Sequence, residues 1–340
     1  REYCDTDGDD YLSEDEISAV TSMNLRYGEI VEYEIETLEG IGYFTSLKEL
    51  DCSHQGLTEL NLDGCYALEK LDCSYCTNLG SLIIDGGPDL HYLDCSYNKL
   101  TYPNMNQFTN LEYLDCSYNY DPGQGKKLGT LEVFGCPKLT ELICTNNDLS
   151  ELDVSSSSVL KKLDCAANKL ESVDVEGDRR LTDLVCYNNQ LTELNVNDCS
   201  GLVTLICSNN RLETLDVSDC TELNFLNCGE NNLTALDVSS CTELTELGCV
   251  ANEGIGSLDV SSCTGLTELY CSGTGLDTLD VSACTGLKNL ECGDNNLNEL
   301  DVSMCSGLSG LVCPHNRISE LDIRGWDGLV ELRKTGTQYG

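Results

Sequence analysis

Residues 202–222 read LVTLICSNNRLETLDVSDCTE, and this stretch returns, with its leucines, cysteines and asparagine in place, along most of the chain. Its frame is LxxLxCxxNxLxxLxVxxCxx, numbered here from the leading leucine as position 1. Equivalent leucines stand at Leu47, Leu68, Leu90, Leu111, Leu139, Leu160, Leu181, Leu202, Leu223, Leu244, Leu266, Leu287, Leu308 and Leu329. A fixed period of 21 residues means one supersecondary unit stacked on itself, each copy burying its apolar side against the next. Both LxxLxC and LxxLxV alternate apolar and polar residues, the pattern of a strand buried on one face. Two such strands and two turns fill the unit. The expected fold is therefore a right-handed solenoid, mostly β and irregular, with short parallel strands on both faces.

The corners fit this frame. Asn147, Asn168, Asn189, Asn210, Asn231, Asn295 and Asn316 recur at position 9. An inward amide there can satisfy backbone groups of adjacent coils. A second cysteine, such as Cys199 or Cys220, marks the opposite corner.

These residues resemble the leucine-rich-repeat family, in particular the short bacterial repeats that nest two similar half-motifs in 21 residues. The resemblance runs from about Leu47 to the end. It implies an internalin-like division into a cap at 1–26, a junction and first capping coil at 27–46, and a solenoid at 47–340 of thirteen coils plus a partial one. Departures are few. The Leu111 coil has 28 residues, and its extra segment, Tyr120–Lys127, must leave the stack as a loop. The Leu68 and Leu244 coils are one residue longer than the rest, which a small bulge would absorb.

Lys and Arg number 19 against 59 Asp and Glu, a formal charge of −40. Phosphate backbones and anionic membranes would be repelled, so a nucleic-acid partner is excluded. No apolar run is long enough to span a bilayer, and REYCDTDG is neither a signal peptide nor an anchor. The chain opens inside a motif, as a trimmed piece would.

That motif is DTDGDDYLSEDE, residues 5–16. Calcium takes six to eight hard oxygens, and an EF-hand loop supplies them from positions 1, 3, 5, 7, 9 and 12. Asp5, Asp7, Asp9, the Tyr11 carbonyl, Ser13 and Glu16 fill those places, with Asp10 where glycine is usual. An exiting helix is expected from about Ser13 into the 20s, with Ile17, Val20 and Met23 on one face. The arrangement is similar to the truncated EF-hand caps of internalin-like proteins. Dockerins need two such loops, and one is present. The alternative is an acidic loop that caps a helix without metal.

The chain has 23 cysteines. Thirteen of them, Cys52 to Cys313, occupy position 6, where alternation turns the side chain into the core. Free cysteine packs there as a small hydrophobe. Stacked thiols with parallel Cβ vectors suit disulfides poorly. Cys73 and Cys76 form a CxxC, but Cys76 stands where other coils have asparagine. Thiols in such number suit an oxidising exterior badly. The surface of an anaerobe would escape that conflict.

No catalytic constellation emerges. His54, His91 and His315 are far apart in coil order, and Gly123–Lys127 lacks the strand and helix of a phosphate loop. The expectation is a binding protein, not an enzyme. Positions 3, 5, 7 and 8 of the LxC strand should face outward or along the edge. In early coils they carry Tyr75, Tyr92, Tyr97, Tyr113 and Tyr118 beside Asp72, Asp94 and Asp115. Eight of the 16 tyrosines fall between residues 66 and 120, and tyrosine is favoured at interfaces because it offers stiff, amphipathic area. With Tyr120, Lys126 and Lys127 of the loop, these residues form the candidate patch for a protein or glycan partner. Ladder packing without any partner is the plainer alternative. The reading is a monomeric, secreted or surface-displayed bacterial adhesion module, with no membrane insertion. A passive stalk, or an effector directed at host cells, is the alternative.

Overall fold

The structure, a computed structural model, describes residues 6, 7, 9, 11–28, 34–85 and 89–321, and the backbone of 331–333. It is a solenoid of parallel strands, divided into two compact units, Arg1–Lys169 and Leu170–Gly340.

In the first unit the strands Ser22–Asn24, Glu49–Asp51, Lys70–Asp72, Tyr92–Asp94, Tyr113–Asp115, Glu141–Ile143 and Lys162–Asp164 follow one another in a parallel sheet. In the second, Asp183–Val185 leads through five further strands to Gly310–Val312 and Glu331–Arg333. Each strand covers positions 3–5. The register never slips: Leu205 pairs with Leu184 and Leu226, so position 4 stacks on position 4. Leu202, Leu205, Cys207, Leu212 and Cys220 are all completely buried. The unit thus fills its own interior and closes it against its neighbours.

Asparagine holds the corner as expected. Asn210 Nδ2 donates to the Cys186 carbonyl of the preceding coil and the Cys207 carbonyl of its own, each at 3.0 Å. Its Oδ1 accepts from the Leu191 amide at 3.0 Å. Three buried backbone groups are satisfied by one side chain. Where asparagine is missing the substitute keeps part of this work: Cys76 Sγ donates to the Cys52 carbonyl at 3.2 Å, and Thr274 Oγ1 to the Cys271 carbonyl at 2.6 Å.

The extra residue in the Leu68 and Leu244 coils is absorbed just after this corner. A tight turn forms there, in which Leu79 and Ile255 donate back to the carbonyls of Cys76 and Asn252. That turn withdraws the amide which the next asparagine would accept. The coil after Leu244 carries Thr274 instead, but the coil after Leu68 keeps Asn98. Its Oδ1 is the one buried side-chain polar atom without a partner among the described residues.

The LxV face is more irregular than the LxC face. Strands pair there at Glu59–Asn61 with Ser81–Ile83, and isolated bridges join Asn104 to Glu132 and Asp174 to Asn195. Elsewhere the corner cysteine ties the coils together. Cys136 Sγ reaches the Met105 carbonyl at 3.3 Å and Cys199 Sγ the Val175 carbonyl at 3.2 Å. Weaker contacts of the same kind, from 3.6 to 3.7 Å, run from Cys220 to Val196 and from Cys241 to Val217.

Two expectations near the start are corrected. The helix covers only Glu14–Ala19, because Val20 turns extended (φ −79°, ψ 114°). Met23 lies on a strand paired with Leu50, not on a helix face. β-branched Val20 and Thr21 favour that exit, and the sheet gains a strand inside the segment assigned to the cap. The Tyr120–Lys127 segment does leave the stack, as a small antiparallel hairpin pairing Tyr120 with Lys127 and Asp121 with Lys126.

Candidate functional site

Position 8 has a left-handed backbone throughout: φ is 59° at His54, 55° at Tyr75 and Tyr97, 54° at Tyr118, and 51–58° at Asn146, Asn209 and Asp294. Later coils fill this place mostly with small or polar residues. The first four place aromatic rings there, and tyrosine, unlike asparagine or aspartate, has no local hydrogen bond that favours this conformation. Successive coils then bring the rings into a ladder. His54 and Tyr75 stack at 4.6 Å, Tyr75 and Tyr97 at 4.1 Å, Tyr97 and Tyr118 at 4.4 Å, all within 9° of parallel. Tyr75 and Tyr118 are each 41% exposed.

A second ladder stands at position 3. Tyr92 and Tyr113 stack at 4.5 Å and 4°, and the Lys70 ammonium caps the Tyr92 ring at 4.7 Å from its centroid. Between the two ladders, position 5 carries Asp51, Asp72, Asp94 and Asp115 in register. Each accepts from the amide and hydroxyl of the serine two residues on; Asp94 Oδ1 meets Ser96 N at 3.0 Å and Oγ at 2.7 Å. This corrects the reading of position 7 as outward. Ser53, Ser74, Ser96 and Ser117 are buried, because their hydroxyls fold back onto the aspartates.

Burial between aromatic walls disfavours charge. It raises the Asp94 carboxyl to about 6, opposed by the Ser96 hydrogen bonds, and raises Asp115 in the same direction. The Tyr92 phenol rises to about 12, by burial first and then by Asp94, and Tyr113 rises further, by burial first and then by Asp115. The structure therefore brings Tyr75, Tyr92, Tyr97, Tyr113 and Tyr118 together as one acidic and aromatic face. Tyr120 and Lys126 are exposed on the hairpin and Lys127 is half-buried. His54 was missed as a member of the ladder; its shared position with Tyr75 was the available signal.

The other histidines have ordinary roles. His91 Nδ1 lies 2.8 Å from the Asp89 carbonyl oxygen, and His315 Nδ1 lies 2.6 Å from Asp294 Oδ1. The 22 described cysteines are free and buried. Desolvation raises the Cys207 thiol to about 12 and that of Cys136 to about 11.

In the acidic loop, Asp5 and Asp10 lie outside the described residues. Asp7 Oδ1 accepts from Asp9 N at 3.2 Å and Asp9 Oδ1 from Tyr11 N at 2.8 Å. Glu16, 8% exposed, organises the rest. Its Oε1 accepts from Thr6 N and Oγ1 at 2.5 and 2.8 Å, and its Oε2 from Ser13 N and Oγ at 3.0 and 2.9 Å. Ser13 in turn caps the helix, completing a capping box. These bonds, those from Ser13 N first, hold the Glu16 carboxyl down at about 2. The donor set is all oxygen and suits a hard cation. Among the described residues, however, no three acidic, histidine or cysteine groups gather closely enough to hold one, and both Glu16 oxygens serve the loop itself. Among the same residues, no helix is long and apolar enough to cross a membrane.

Fold and face together define a leucine-rich-repeat solenoid with stacked cysteines in its core. The functional domain of InlJ from Listeria monocytogenes, which includes a cysteine ladder, is 31% identical with a TM-score of 0.84, over 94% of this chain and 69% of that one. The chain belongs to the bacterial leucine-rich-repeat family that includes InlJ. A Leptospira interrogans leucine-rich-repeat protein (23% identity, TM-score 0.72, 84% of this chain and 77% of that one) shares the fold. So does the Listeria monocytogenes internalin InlF (18%, 0.69, 96% and 90%). No protein-family model and no curated protein matches the chain.

Proposed function

We propose that the chain is a non-catalytic binding module, displayed at or secreted from a bacterial surface, that holds a protein partner against the aromatic and acidic face of its first coils. The observation that carries this is the ladder of His54, Tyr75, Tyr97 and Tyr118 in left-handed backbone. Holding a non-glycine residue there costs about 1–2 kcal/mol, and a stacked aromatic pair returns about 0.5–1.5 kcal/mol. Four such residues against three stacked pairs leave stacking short of the backbone cost, so stacking alone does not account for the rings. Their exposed area is what remains to be explained. A passive stalk has no use for it. A glycan also stacks on tyrosine, but a face lined by buried carboxylates favours a partner with positive charge. As for location, neutral, buried thiols resist oxidants, so an extracellular setting does not require an anaerobe.

The test replaces Tyr92, Tyr97, Tyr113 and Tyr118 with serine and compares capture of a partner from bacterial or host surface material. Loss of capture with cooperative unfolding intact supports the face; capture retained contradicts it.

A second reading concerns calcium at Asp5, Asp7, Asp9, Tyr11, Ser13 and Glu16. The observation in its favour is the run of aspartate turns from Asp7 to Tyr11, which collects hard oxygens on one short loop. Binding would require Glu16 to exchange its Thr6 and Ser13 donors for the ion. Melting raised by calcium and lowered by excess chelator supports the site; identical melting with and without calcium contradicts it.

A further inference from the structure

Within the position-3 ladder each ring has two faces, and three of the four are accounted for. Tyr92 and Tyr113 cover one face of each other, and the outer face of Tyr92 is capped by Lys70. The register places Glu141 next in line beyond Tyr113, and Lys162 beyond Glu141. No ion pair joins Glu141 to Lys162 among the described residues.

The outer side of Tyr113 therefore faces a carboxylate where the outer side of Tyr92 faces an ammonium. The face of an aromatic ring is electronegative, so the first arrangement repels and the second attracts. Asp94 and Asp115 flank the same ring pair, and their second oxygens accept no hydrogen bond from the described residues. A ring face and three carboxylates lack one element in common, a cation.

We infer that an arginine of the protein partner supplies it, its guanidinium lying on the outer face of Tyr113 and reaching Glu141 and Asp115. This rests on the binding face proposed above and names the chemistry of its occupant. Arginine fits better than lysine because a planar guanidinium stacks on a ring and offers several N–H groups to carboxylates at once. The Lys70–Tyr92 contact shows that neighbouring coils leave room for a cationic head over such a ring. The net charge of −40 draws a basic segment toward the face.

The probes are hexa-arginine, hexa-lysine and hexa-citrulline peptides, titrated calorimetrically into the whole chain at near-physiological salt so that general attraction to an acidic protein is screened. Hexa-arginine should bind about five-fold or more tighter than hexa-lysine, and hexa-citrulline should not bind. Tyr113→Leu should abolish the preference for arginine and Tyr113→Phe should keep it. Glu141→Gln, which keeps the size of a half-buried side chain, should reduce it, whereas Asp259→Asn in the LxV half of a later coil should not. Equal affinity for the two cationic peptides, or a preference untouched by both Tyr113→Leu and Glu141→Gln, overturns the inference. If the four-tyrosine variant still loses its partner while the peptides show no preference, the face stands and the arginine does not.

Discussion

The side-chain amide of Asn231 reaches back one coil to the carbonyl of Cys207, at 3.0 Å, while its second N–H holds the carbonyl of Cys228 in its own coil at 3.1 Å. Its oxygen takes the Leu212 amide at 3.0 Å. This period is thus locked to the one before by a residue visible in the sequence.

Asn231→Ala should cost about 2–5 kcal/mol, because two carbonyls and an amide are left buried without partners. Asn98→Ala should cost less, since Asn98 makes two of the three bonds and its oxygen is already unpartnered. Chemical denaturation of both variants, compared through their midpoints and slopes, checks the order. Equal losses would contradict this account of the corner.

Asp94 makes a prediction with a definite sign. Its folded pKa of about 6 lies above the ordinary 3.8, so the folded state binds the proton more tightly than the unfolded one. The ionisation penalty is absent below pH 3.8, grows between 3.8 and 6, and is constant above. Asp94→Asn should therefore stabilise the protein by about 1–2 kcal/mol at pH 7, after allowing for weaker hydrogen bonds to Ser96, and by nothing at pH 3.5. Melting measured at both pH values decides it; a loss of stability at pH 7 would show that the serine bonds outweigh burial.

The cysteines should be silent in the native protein. Burial raises the thiol of Cys207 to about 12 and that of Cys136 to about 11, and the thiolate is the reactive form. Under reducing-agent-free native conditions a thiol reagent should label few of them, and in denaturant nearly all. Extensive labelling of the folded chain, or failure to label after unfolding, would contradict a core of free thiols.

Much of this was legible in the sequence. The leucine period set the stacking, and the position-9 asparagines set the corner, because both depend only on which residues recur at which spacing. Three features were not. The helix after Ser13 was read too long, since Ile17, Val20 and Met23 fit a helical face as well as they fit a short helix followed by a strand. Position 7 was turned outward by simple alternation, whereas the aspartate–serine hydrogen bond draws it in. The left-handed backbone at position 8 was hidden by tyrosine in the early coils, although Asn146, Asn209 and Asp294 at the same position in later coils carry the signal for it.

The most direct measurement replaces Tyr75, Tyr97 and Tyr118 together with asparagine, a residue that later coils carry at the same left-handed position. Relief of backbone strain should offset the lost stacking, leaving stability within about 1 kcal/mol of the parent, while capture of the partner disappears. A protein strongly destabilised by the change would show that the rings serve the stack, and one that still captures its partner would show that the binding face lies elsewhere.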